Sequence, residues 1–108
     1  MDVYDLIAKS AENYSNAVSK REYHADAADD IELKGLDEAV DEAYMALETA
    51  FNDGLRSVAL ATDSLKFQAE KTSKAIESAI EVAGDIQSAV DKINKATKAI
   101  IDFIGKVI

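Results

Sequence analysis

The feature that most constrains this chain is a spacing. From Leu55 onward, apolar residues recur at alternating intervals of three and four without a slip: Leu55, Val58, Thr62, Leu65, Ala69, Thr72, Ile76, Ala79, Ala83, Ile86, Val90, Ile93, Thr97, Ile100, Ile104 and Val107. All but the three threonines are apolar, and a period of 3.5 held this long is that of helices packed side by side. Nothing alternates with period two, so strands are not expected. The 108 residues suit a single domain, and a chain with no Pro, no Cys, 4 Gly and 19 Ala favours helix throughout.

The expected fold is therefore all-α: an elongated helical hairpin, or a three- to four-helix bundle, with a long heptad-patterned C-terminal helix. Gly35, preceded by Lys34 and followed by Leu36, Asp37 and Glu38, has a cation before it and acids after it, as a helix-to-helix turn prefers. This places helix 1 at about 2–33, a turn at 34–36 and helix 2 at about 37–52 in a single domain 1–108. The second break is Asn52-Asp53-Gly54, and the third and weakest is Gly84-Asp85. The last helix then runs from about 55 to 108, bent near Gly84, and would reach about 80 Å if straight. Helix 1 presents Val3, Leu6, Ile7, Ala11, Tyr14, Ala17 and Val18 as its apolar stripe; helix 2 presents Leu36, Val40, Ala43, Tyr44, Leu47 and Phe51.

The C-terminal seam is broad. Positions flanking the heptad core are Ala75, Ile80, Val82, Ala89, Ala96, Ile101 and Phe103 where a two-stranded zipper has charges, and eight of the ten Ile lie at or beyond Ile76. So wide a face needs cover from an antiparallel arm or from other copies. The candidate association residues are Ile76, Ile80, Ile86, Val90, Ile93, Ile100, Phe103, Ile104, Val107 and Ile108, with Leu60 and Phe67 as contacts on the outer face. The apolar stretch ending on Val107-Ile108 adds to the demand for cover.

Charge is segregated. Between Glu22 and Glu48 ten acids face one base, Lys34, which accounts for the whole net charge of −9. No basic field for nucleic acid exists on this count, and the acidic stretch reads as a solvated face that could also meet a basic partner. No cofactor motif is present, and no Cys can hold zinc. His24 lies near Glu22, Asp26, Asp29 and Asp30, but with Arg21 three residues before it no Glu-x-x-His pair forms; it reads as a surface histidine. Asp30, Glu32, Gly35 and Asp41 imitate a calcium loop, yet Lys34 stands at a ligand position and no Glu closes the loop. An enzyme is not expected, nor a cofactor or a metal.

Small leaderless bacterial secretion substrates, including needle, rod and filament subunits, are similar in size, lack of cysteine, hairpin layout and apolar C-terminal helix. The similarity implies a subunit that self-associates. The chain has neither a Trp-x-Gly turn nor a Pro-bounded turn, so no residue roles carry over. The expectation is a non-enzymatic structural or interaction protein, a homo-oligomer or filament joined through the C-terminal helix. The alternatives are a small acidic chaperone or adaptor taking a partner helix, and a membrane-active protein using the cationic amphipathic segment 89–108 with Lys92, Lys95, Lys98 and Lys106. With no visible signal peptide and no apolar run long enough to span a bilayer, the expected location is the cytoplasm, or outside by a leaderless route.

Overall fold

The computed structural model describes residues 3–54, 63–81 and 85–107. Among them the chain is all-α, with four helices in the order α1 (Val3–His24), α2 (Asp30–Gly54), α3 (Asp63–Ile80) and α4 (Ile86–Val107). α1 runs antiparallel to α2 and α4, and α3 antiparallel to α4, so α2 and α4 point the same way. α4 packs against all three others, while α2 and α3 do not touch among the described residues.

The first reversal lies at 25–29 instead of 34–36. Asp29 begins α2 through a reciprocal capping box: its Oδ1 accepts from the Glu32 backbone N at 2.8 Å, and Glu32 Oε1 accepts from the Asp29 backbone N at 3.1 Å. On the other side, Ala27 N donates to His24 O at 3.1 Å and closes the turn. Gly35 is thus an interior residue of α2, with no positive φ; it sits where α2 runs past α4, the nearest atom to a would-be Cβ being Val90 Cγ2 at 4.0 Å. Helix 1 stops at His24 and not near Leu33.

Among the described residues, the expected C-terminal helix is two helices folded against each other, and the longest dimension of the molecule is 45 Å. α3 stops where α1 satisfies its terminal carbonyls. Asn16 Nδ2 donates to Ala79 O at 2.8 Å, and Lys20 Nζ to Ile80 O at 3.5 Å and Glu81 O at 3.2 Å. Asp85 then caps α4, its Oδ1 accepting from Ser88 N at 2.7 Å. The weakest of the three breakers is therefore a true helix boundary, and the unbroken 3-4 spacing spans it because both helices turn the same heptad positions inward.

The core is built from small residues on α1 and α2 and large ones on α4. α2 buries Leu36, Ala39, Ala43, Ala46 and Ala50, whereas Tyr44 and Phe51, expected inside, are 47% and 54% exposed. α1 turns Ser10, Asn13 and Ala17 inward, with Tyr14 and Val18 only half-buried and Ala11 exposed. Against these surfaces α4 packs Ile93, Ile100, Phe103 and Ile104, and α3 adds Ala69, Ile76 and Ala79. Alanine rows let the backbones approach closely, and the bulky α4 side chains fill the space between them. Polar contacts between the described helices include Asn13 Nδ2 to Thr97 Oγ1 at 3.0 Å, Thr72 Oγ1 to Ala99 O at 3.3 Å, and the Asn16 bond to α3.

Candidate association surface

Of the residues expected to associate, Ile76, Ile93, Ile100 and Phe103 are wholly buried within the chain itself, and Ile104 and Val90 nearly so. For these, of the two sources of cover expected, the chain itself supplies it: α3 and α4 fold against each other, and α1 and α2 complete the cover. Ile86 is half-buried and Ile80 is 40% exposed at the end of α3. Ile108 and Leu60 lie outside the described residues, as do the side chains of Val107 and Phe67.

His24 is buried, not solvated, at the end of α1, its ring edge-on to Tyr23 with centroids 4.9 Å apart. Asp30, Glu32, Gly35 and Asp41 all lie within α2, so the calcium-loop geometry is not formed. Among the described residues no three His, Asp or Glu side chains gather to hold a metal ion. Nor is any described helix long and apolar enough to cross a membrane.

What remains outside is organised around α4. Two grooves flank it. The first, about 340 Å³, runs between α2 and α4, with Met45 and Ala46 on one bank, Thr97 and Ile101 on the other, and Glu42 and Lys98 at the rim. Met45 is 62% exposed and Ile101 43%, although both are large and apolar. Asn94, whose Oδ1 is buried without a donor among the described residues, also lines this groove.

The second groove, about 410 Å³, runs between α3 and α4. Lys71 and Lys74 come from α3, Lys92, Lys95 and Lys98 from α4, and Ala75 and Ala99 form its floor, with Ser78 and Asp102 completing it. No carboxylate among the described residues lies within ion-pair distance of any of these lysines; the ion pairs seen there include Lys9–Glu12, Lys34–Glu38 and Arg21–Asp37. The last ties α1 to α2, and the hydrogen bond to Asp37, then its negative charge, holds the Arg21 pKa above its ordinary value. The arginine is therefore charged at every pH the fold meets.

On the far bank, α2 is an acidic helix, with eight carboxylates against Lys34. Glu38, Asp41, Glu42 and Glu48 fall within about a third of its circumference at 100° per residue, with Met45 at the middle of that arc. All five are exposed. The acidic run and the lysines of 89–108 are visible in the sequence, but the groove needs Lys71 and Lys74 as well, and only the packing of α3 against α4 brings them together. Tyr44, on the other side of the arc, packs its ring against Tyr14 at 5.4 Å.

No protein-family model, curated protein or solved structure matches this chain.

Proposed function

We propose that this protein is a non-enzymatic association subunit that pairs with copies of itself through the face centred on α4. The observation that carries the reading is the pair Met45 and Ile101, large apolar side chains left exposed on opposite banks of one groove, with acids on one flank and, on the other, lysines with no ion-pair partner among the described residues. Surfaces with an apolar centre and a charged rim are those that bind other proteins. The inward polar side chains support a non-catalytic role: the buried Asn13 and Thr72 and the half-buried Asn16 direct hydrogen bonds to neighbouring helices and hold the bundle together. Small size, absence of cysteine and all-helical build also fit an oligomerising subunit of the kind that specialised secretion systems assemble.

In this reading the heptad-spaced seam serves folding, and association uses what the seam leaves outside. Sedimentation velocity across a concentration series tests this. The wild-type chain is expected to form larger species as concentration rises, and Ile101→Asp or Met45→Asp to remain monomeric with unchanged helicity. A wild-type chain that stays monomeric at millimolar concentration overturns the reading. Ile93 and Ile100 are unsuitable probes, because an aspartate at either buried site unfolds the bundle itself.

A second reading, an adaptor for an acidic helix of another protein, rests on the lysine groove. It predicts a melting temperature that rises on adding that partner and not with the chain's own concentration. A lipid-seeking role requires the bundle to open, since the isoleucines of α4 that would enter a membrane are its core.

A further inference from the structure

We propose that two copies pair about a two-fold axis parallel to the helices, each laying its acidic α2 in the lysine groove of the other. The inference rests on the self-association reading above and names its surface and its symmetry.

The argument begins with the order of helices across the face. Lys98 lines both grooves, so α4 is the ridge between them, α2 standing on one side and α3 on the other. Across the face the order is α2, α4, α3, and the charge runs from negative through apolar to positive. Turning a second copy over about an axis along the helices reverses the order to α3, α4, α2. Shifted sideways by half a helix spacing, each α2 drops between α3 and α4 of the other copy, and each α4 drops between the other's α2 and α4. Both grooves of both copies are filled by the same operation, which makes the contact closed and self-complementary.

Height along the bundle decides whether the charges meet. Gly35 is level with Val90, and Glu42, Met45 and Thr49 share a groove with Asn94, Thr97 and Ile101. The acids 38–48 of α2 therefore run level with residues from about 90 to 101 of α4, the stretch that holds Lys92, Lys95 and Lys98. A two-fold axis along the helices leaves height unchanged, so the acids of one copy arrive level with the lysines of the other. Both stripes are about 10–15 Å long at 1.5 Å per residue. Met45, at the centre of the acidic arc, then faces the alanine floor formed by Ala75 and Ala99, and Ile101 enters the groove beside the other copy's α4. An axis across the helices would instead keep the lateral order, setting α2 against α2 and lysines against lysines.

The occupant is thus a second copy of this chain, chosen by charge sign, stripe length and register together. The test uses the full chain and two charge reversals at exposed positions, Lys95→Glu with Lys98→Glu in one variant and Asp41→Lys with Glu48→Lys in the other. Sedimentation is read for each variant alone and for an equal mixture, with circular dichroism to verify helicity. The wild type is expected to stop at twice the monomer mass and to dissociate more readily in high salt. Each variant alone should dimerise at least about tenfold more weakly, since like charges then face each other in both grooves. Their mixture should regain dimers of wild-type strength, because the heterodimer restores opposite charges in both grooves. Dimers that ignore both reversals overturn this arrangement while leaving self-association standing; a wild type that never dimerises overturns both. Growth beyond the dimer rejects the closed two-fold in favour of head-to-tail assembly. A monomer that instead binds phosphatidylserine vesicles, and loses that binding on Lys95→Glu with Lys98→Glu, assigns the lysine groove to anionic lipid and overturns the proposal.

Discussion

α2 and α4 lie side by side, point the same way and carry the same heptad spacing, yet they are built inside out relative to each other. α4 sends most of its large residues inward, Ile93, Ile100, Phe103 and Ile104, and leaves its lysines and Ile101 outside. Leu36 apart, α2 sends alanines inward, Ala39, Ala43, Ala46 and Ala50, and leaves Tyr44, Met45 and Phe51 at the surface. One helix is filler and the other is a flat wall. The same period of 3.5 thus fixes which side of a helix is buried without saying where its bulk goes, and a helix whose bulk points outward has surface left for other contacts.

The contrast can be broken most forcefully at its two extremes. Phe103→Ala removes a wholly buried ring and should cost about 3–5 kcal/mol in urea or thermal unfolding, whereas Met45→Ala should change the stability of the monomer by less than about 0.5 kcal/mol. If the two cost alike, the assignment of inward and outward bulk is wrong. Next in size is Ala46→Leu, which thrusts a large side chain into the wall against α4. It should destabilise by about 1–3 kcal/mol despite being more hydrophobic, and a gain in melting temperature would show a void where close packing is described. The smallest effect concerns the helix starts, where the two regions are alike. Asp29→Ala and Asp85→Ala each remove a side-chain acceptor from a helix N-terminus and should each lower stability by about 1 kcal/mol, to be read from denaturation midpoints. A sizeable loss at one and none at the other would mean that one of the two boundaries is misplaced.

The helical class and the inward positions of α3 and α4 were legible in the sequence, because heptad spacing reports burial directly. The breaks were less so. Asp29-Asp30-Ile31-Glu32 carries a capping box, but the turn before it, Ala25-Asp26-Ala27-Ala28, contains no glycine or proline to advertise it, while Gly35 advertises a turn that the flanking helix formers override. The end of α3 depends on Asn16 and Lys20, more than sixty and about sixty residues distant in sequence, so no local pattern could reveal it. The inward faces of α1 and α2 were legible in part: Ala17, Leu36 and Ala43 are buried as expected, and Tyr14 and Val40 pack against the core. Size and hydrophobicity also pointed to Tyr44 and Phe51, but close helix approach selected Ser10, Asn13 and further alanines. The lysine groove joins residues about twenty positions apart and became visible only once the chain had turned back on itself.

Alanine walls are smooth, and smooth walls slide. In a wall assembled from Ala39, Ala43, Ala46 and Ala50, a shift of seven residues still sets alanine where alanine stood at two of the four places. The contact between Asn13 and Thr97 forbids it for α1, since a shift of one heptad would set the asparagine against Val90 or Ile104, neither of which can accept its proton. The stranded amide would cost about 1–3 kcal/mol, enough to give a slippery interior a single latch position.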